Sequence, residues 1–372
     1  MTTSIWHVFS RDASGAITGK IDGFTRLEII PRFNAVGSWA MDIDLSLDQA
    51  ALLGIGGGIS IYRDGQPFFS GKVGGYERSR DAVKNSISWY GKCDLGFLEK
   101  RVALPVVSGP PYSSATHDVR TGVAETVLKQ YVYYNAGAGA NLARRVTGLT
   151  IETDYGRGSA VTGRARFDGL MDLLAMLAGA ASPALGFRVV DLQFQVYSPV
   201  DRTSSILFDF DTGTLLSYQY QEGEPDANYL ITGGLGTGTS RTFVEGMDSN
   251  SVLRWGRAEE FYNYERTSVT AELLEMTASE LDNRGSSSSL KVVPIEAKGR
   301  CMFVDYTIGD LVAFRIDGVE LSMRLTEARI VISQDAVVIT PVLSAGNIPV
   351  GLQRDALRNA QARKRIGVVE RS

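Results

Sequence analysis

At 372 residues the chain is well over twice the ~150 residues of a typical domain, which excludes one small domain and predicts two to four packed units. Hydrophobic residues make up 44% and charged residues 22%, close to ordinary globular averages, so wholesale disorder is excluded. Lys+Arg 38 against Asp+Glu 42 leaves a formal charge of -4, without the basic excess by which dedicated DNA binders displace counterions from phosphate.

The N-terminal apolar run Ile5 to Phe9 is too short for a signal peptide and gives way to Ser10, Arg11 and Asp12, so the chain is expected to be made and first kept in the cytosol. Met41, Ile43 and Leu45 alternate with Asp42 and Asp44, the pattern of a strand with one solvated face. Ser46 is placed to cap a short helix over 47–53, which Gly54 and Gly56-Gly57-Gly58 end. Ile59 to Tyr62, an Asp64-Gly65 turn and Phe68 to Val73 predict a hairpin, continued by Ser86 to Tyr90. The spread of 40 glycines through turn-like contexts fits many short strands, and this first region reads as a small antiparallel barrel.

After Pro110-Pro111 the texture changes. Val123, Val127 and Tyr131 recur four apart and predict a helix over 119–134. A second helix is expected over 167–181, carrying Leu170, Leu173, Leu174 and Leu177. It contains Asp172 and falls short of the ~20 apolar residues that span a bilayer, so it is a core helix and no stable membrane insertion is expected. Strands follow at 187–190, 194–197, 206–210 and 215–220. A glycine-rich loop at 233–238, a helix over 270–281 and a serine run at 286–289 lead into short strands from 292 to 343. The segment after Leu352 is basic.

Two stretches share an order of events. Gly58, Ile59 to Tyr62, Asp64-Gly65, Lys72-Val73 and Asp81-Ala82-Val83 match Gly309, Leu311 to Phe314, Asp317-Gly318, Arg324-Leu325 and Asp335-Ala336-Val337. Asp-Gly hairpins are common in any β protein; duplication of one barrel is the preferred reading.

The chain is poor in catalytic patterns. Cys93, Cys301, His7 and His117 make no CxxC, HxxxH or HExxH spacing, so no zinc site is expected. Two buried free thiols are the expected state of the cysteines, with a disulfide left open. Asp211-Thr212-Gly213 resembles one half-site of an aspartic protease, but the two-carboxylate mechanism needs a second such string, and a β-turn is the preferred reading. Between Gly65 and Lys72 the glycine spacing of a phosphate loop is wrong, and Val73 stands where a hydroxyl would reach magnesium. Gly234, Gly236 and Gly238 lack the dinucleotide spacing. No catalytic residue, metal or cofactor is expected.

The order of several loose strings carries a family resemblance. Gly37-Ser38-Trp39, Ile61 to Gly65 and Phe69 to Val73 resemble the opening domain of siphophage tail-hub proteins. Leu98 to Arg101 with Pro105, Ala124 to Val132 with Asn135, Ala165 to Phe167, and Leu185 to Phe187 resemble the second domain of minor tail proteins of actinobacterial-type long-tailed phages. Asn228 to Gly236 with Arg241 resembles their third domain, with Thr237 standing where the family has an acidic residue.

The resemblance implies an α+β, mostly β, tail-hub architecture: two small antiparallel β-barrels flanking α+β domains. The expected boundaries are 1–107 for the first barrel, 108–203 and 204–289 for α+β domains, 290–347 for the second barrel and 348–372 for a basic tail. It implies a structural virion protein, a homotrimeric baseplate hub at the tail tip. Such a hub joins the hexameric tail tube or distal tail ring to a central fibre or spike, beside other minor tail proteins and the tape measure protein, with DNA only in transit. Asp64, Gly65, Phe69, Lys72, Asp317, Gly318 and Arg324 are the expected subunit contacts, while Arg358, Arg363, Lys364 and Arg365 either dock on a neighbour or form a frayed tail. The alternative is a tail-tip enzyme or receptor-binding module acting on host cell-wall glycan. For the structural reading, zymography on purified cell wall and a general protease assay should show no activity; clearing that disappears in Asp211→Ala would overturn it.

Overall fold

The computed structural model describes residues 4–344 apart from 83, 84, 266, 286, 287, 296, 317 and 318. Asp317, Gly318, Val83 and the basic segment holding Arg358, Arg363, Lys364 and Arg365 therefore lie outside the described residues, as do the first two serines of the 286–289 run. Contacts divide the chain into two compact units, one built from residues up to 217 together with 292–344, the other from 218–291.

The chain opens with β1 (Trp6–Arg11), β2 (Ile17–Lys20), β3 (Phe24–Ile30), β4 (Ser38–Asp44), β5 (Gly58–Arg63), β6 (Gln66–Arg80) and β7 (Asn85–Cys93). Helix α1 (Gly96–Glu99), β8 (Val102–Ala103), β9 (Asp118–Val123), α2 (Ala124–Asn135), β10 (Thr150–Ile151), β11 (Ala160–Ala165), β12 (Asp168–Gly169), α3 (Leu170–Ala180), β13 (Gly186–Val190) and β14 (Gln193–Tyr197) follow. Next come β15 (Leu207–Asp209), β16 (Leu215–Glu222), β17 (Tyr229–Gly233), β18 (Phe243–Met247), α4 (Ser249–Trp255), β19 (Glu259–Asn263) and α5 (Thr270–Arg284). The last are β20 (Ser288–Pro294), β21 (Leu311–Ile316), β22 (Val319–Ser333) and β23 (Val337–Ser344).

The larger unit is organised by one eleven-stranded sheet in the order β15-β21-β22-β3-β4-β7-β6-β5-β1-β2, with β23 also paired to β22. This corrects the expectation of two separate small barrels. Among the described residues no ladder closes on itself, and strands from both ends of the chain belong to the same sheet. The junction is antiparallel, Ile330 opposite Ile29 through Ser333 opposite Arg26. Ile29, Leu27, Ile330 and Ile332 are all buried there, so each end of the chain covers apolar surface the other cannot cover alone.

Two three-stranded meanders, β5-β6-β7 and β21-β22-β23, stand out in this sheet. Each has a middle strand of 15 residues. Each also inserts one extra residue where the middle strand meets the third, Gly74 in β6 and Thr326 in β22. The bulge has a clear purpose in β22. Leu321, Met323 and Leu325 are buried, and after the extra residue the buried set shifts parity to Ala328, Ile330 and Ile332. Without the bulge the second half of the strand would turn its apolar side chains to solvent.

The same unit contains the α+β region. Val127, Leu128, Tyr131 and Val132 of α2 and Leu170, Leu173, Leu174 and Leu177 of α3 are buried. The expected helix over 119–134 begins only at Ala124, because Asp118–Val123 is a strand paired with Ala160–Ala165. Val119 and Val123 face outward on that ladder, so their four-residue spacing from Val127 mimics a helical stripe that does not exist. The short helix over 48–52 is a 3-10 turn without a side-chain cap, and the Ser46 amide instead bonds Asp44 at 2.8 Å. Within α2 the buried Glu125 pairs with Lys129 at 2.6 Å. Burial pushes the Glu125 carboxyl up, but the Lys129 ammonium and the Arg157 amide hold it below the usual range.

In the smaller unit, β18-β17-β19 form a three-stranded sheet. Leu273 and Thr277 of α5 are buried, with Thr277 bonding Thr232 of β17 at 2.7 Å.

Truncating a side chain at the sheet junction should be expensive. Ile330→Ala is expected to cost about 2–5 kcal/mol in denaturant unfolding, whereas Val338→Ala, at a position 55% exposed, should stay within about 0.5 kcal/mol.

Candidate assembly surfaces

The β13–β14 turn fixes the α+β region to the sheet through a chain of polar contacts. Asp191 and Leu192 both take positive φ, 48° and 59°, closing a two-residue hairpin. The Asp191 carboxylate accepts from the Ser60 hydroxyl at 2.6 Å and the Tyr62 hydroxyl at 2.9 Å, while its amide donates to Ser70 at 2.7 Å. Ser70 in turn donates to Asp94 at 2.5 Å, and Asp94 pairs with Arg11, both ends of that pair being buried. Ser70 meets a lone pair of the buried Asp94 carboxylate, while Arg11 Nη1 is buried with no hydrogen-bond partner among the described residues. A second tie runs through Asn34, whose side chain bonds the Leu185 carbonyl at 2.9 Å and the Phe187 amide at 2.8 Å.

The hairpin held by this network carries four of the expected contact residues. Asp64 and Gly65 form its tip with φ of 50° and 78°, between Arg63 and Gln66, which pair across the ladder. Asp64 also accepts from the Ile5 amide at 2.8 Å, which fastens the N-terminus to the tip. Lys72 lies at the other end of the hairpin, opposite Gly58, with its ammonium 5.7 Å from the Phe97 ring. Phe69 is only 4% exposed and lines a cavity of ≈ 250 Å³ with Phe68, Cys93, Leu95, Val190 and Ile308. Within one chain it is therefore a core residue, buried in a run with Ser70 and Gly71. Arg324 lies on β22, donating to the Gly309 carbonyl and stacking over Phe33 at 5.1 Å. The described contact residues do not form one patch.

What sequence reasoning missed is the state of the strand edges. The Val73 amide donates to the Gly57 carbonyl at 2.9 Å, and beyond it β6 has β7 as its only ladder partner among the described residues. Tyr76, on the face of β6 that carries Trp89 opposite it, is 51% exposed. Strand β16 pairs only β20 among the described residues, with Leu215 buried and Leu216 62% exposed. The exposed Tyr76 and Leu216 were the available signals, but neither is distinctive without the pairing.

The Asp211 string is a turn: the Asp209 amide bonds Thr214 Oγ1 at 2.8 Å, and Gly213 takes a φ of 67°. Among the described residues no group of three or more His, Cys, Asp or Glu side chains could hold a metal. His117 is exposed. The cysteines are free thiols, Cys93 buried and Cys301 half-buried. No helix among the described residues is long and apolar enough to cross a membrane.

A family model described as Siphovirus ReqiPepy6 Gp37-like protein matches residues 4–343. The 43 kDa tail protein of prophage MuSo2 from Shewanella oneidensis is similar in structure, with a TM-score of 0.58 at 12% identity over 92% of this chain and 98% of that one. The tail protein from Neisseria meningitidis MC58 gives a TM-score of 0.54 at 15% identity, over 92% and 97% of the two chains. Prophage tail protein gp18 from Listeria monocytogenes EGD-e gives 0.51 at 12%, over 95% and 99%. At such identities the likeness is one of fold. No curated protein matches the sequence.

Burial and the Asp191 carboxylate push the Tyr62 hydroxyl up to about 12, from an ordinary 10. A phenol whose folded value is raised contributes stability that is fully present below pH 10 and lost as pH rises toward 12. Tyr131 and Tyr197 are shifted the same way. Tyr62→Phe should therefore lower the melting temperature at neutral pH, through the lost hydrogen bond to Asp191, yet show a shallower alkaline decline than the parent chain.

Proposed function

The chain belongs to the Siphovirus ReqiPepy6 Gp37-like family, and from that premise we propose that it is a structural protein of a long-tailed phage, a homotrimeric hub at the tail tip. In this reading it joins a hexameric tail tube or distal tail ring to a central fibre or spike, and it works by contact, not by catalysis. The observation that carries the reading is the repeated meander. Two antiparallel units with equally long middle strands, each bulged by one residue against its third strand, occur in each chain. Three chains then offer six similar units to a sixfold ring while keeping a threefold axis for a spike. The fold likeness to phage tail proteins over more than nine-tenths of the chain supports the same reading.

Cyclic symmetry makes each subunit contact heterologous, so the surface used by the first meander must complement a surface next to the second meander of the neighbour. Asp64, Gly65, Lys72 and Arg324 remain candidates for contacts with neighbouring subunits or with the ring above. The basic segment holding Arg358, Arg363, Lys364 and Arg365 is proposed to dock on an adjacent tail protein.

Native mass spectrometry should return three times the 40.3 kDa chain mass, and class averages of negatively stained particles should show threefold rings with six similar lobes. A monomer, or a ring of another symmetry, would overturn the hub.

A further inference from the structure

The two meanders end their first hairpins alike and then part company. Corresponding bonds close the two first hairpins, Val73 N–H to Gly57 O at 2.9 Å in one and Leu325 N–H to Asp310 O at 3.0 Å in the other, where the Gly309 amide adds one more bond to the Leu325 carbonyl at 2.8 Å. The bulge residue comes next in both, Gly74 or Thr326. Beyond the bulge, β22 is lined on that edge by the chain from Phe33 back to Arg26. The Phe33 amide donates to the Thr326 carbonyl at 2.7 Å, the Ala328 amide donates to the Pro31 carbonyl at 3.2 Å, and Ile330 to Ser333 pair with β3. The corresponding edge of β6, residues 75–80, carries no strand among the described residues. Burial follows the edge: Ala328 and Ile330 are fully buried, while Tyr76, on the core side of β6, is half exposed beside Trp89 at 5.0 Å.

The chain order indicates what is missing. Strands β3 and β4 precede the first meander, and β4 pairs its third strand, yet β3 crosses over to the second meander. Strands β16 and β20 precede the second meander in chain order but pair each other instead of its strands, and among the described residues β16 has no second ladder partner and carries the exposed Leu216. We propose that β16 of one copy adds antiparallel to residues 75–80 of β6 in the next copy, just as β3 adds to β22 within one copy. The inference rests on the trimeric reading above and gives it a mechanism. Each copy then has one edge that gives and one that receives, a heterologous contact that a ring closes. Closure leaves neither edge open to uncontrolled pairing. The charges of Glu77, Arg78 and Arg80 discourage flat apolar pairing at this edge until the matching strand arrives.

The test uses the full chain carrying Cys301→Ser. Cys93 can stay, because burial pushes its thiol up to about 11 and leaves it unreactive. A chain with Glu77→Cys and a differently tagged chain with Leu216→Cys are co-expressed and treated with a short bismaleimide. Ile17→Cys, on the exposed β2, replaces Glu77→Cys as the control partner. The proposal expects cross-linked heterodimer at least about tenfold above the control, in a sample whose native mass is trimeric. A trimeric mass with cross-linking no better than control overturns the strand exchange and leaves the hub standing; a monomeric mass overturns both. Hydrogen exchange on the unmodified chain gives an independent reading. Amides of 75–80 should be as protected as those of 328–333, and rapid exchange at 75–80 in a trimer would overturn the pairing.

Discussion

The pairing of β22 with β3 is the constraint on which the larger unit depends. Four residue pairs bring together segments about three hundred positions apart and turn two meanders into one sheet. The exposed part of the seam is ionic: Arg329 meets Glu28 with two bonds, 2.8 and 3.1 Å, and holds that carboxyl below its ordinary range. Exposed pairs of this kind contribute little on their own. Stability at the seam comes from Leu27, Ile29, Ile330 and Ile332, which are removed from water only when both strands are present.

Everything else in the unit is arranged so that this sheet can be continuous and covered. The bulge in β22 keeps its apolar side chains buried along the whole length of the strand. The Asp191 turn then fastens the α+β region across β5 and β6 through hydroxyls that donate to the carboxylates of Asp191 and Asp94. Hydrogen bonds fix the position of this region, whereas apolar burial binds the sheet.

Legibility in the sequence followed the range of the interaction. The Asp64-Gly65 hairpin could be read directly because its signal, two residues able to take positive φ between alternating strands, is contained in a few positions. The burial of Met41 and Ile43 and the turn at Asp211 were legible for the same reason. The strand over 118–123 was not, since Val119, Val123 and Val127 satisfy a helical spacing by coincidence and only the partner strand at 160–165 decides between the two. Two separate barrels were expected because each meander looks locally complete; nothing near β3 says that its partner lies at the far end of the chain. The shared order of Gly58 and Gly309 with their following strands did announce two related meanders, but not that they share a sheet. Asp191 has no local signature at all, because its partners Ser60, Tyr62 and Ser70 belong to another region.

The seam between β3 and β22 also sets a timetable for synthesis. At about 5–20 residues per second, β22 leaves the ribosome roughly 15–60 seconds after β3. During that interval the β3–β4 hairpin can pair with β7 but must hold an unfilled apolar edge, at Leu27 and Ile29. Nascent chains on neighbouring ribosomes of one message expose the same edge together, so translation speed and chaperone supply decide whether that edge meets its own β22 or another chain's β3.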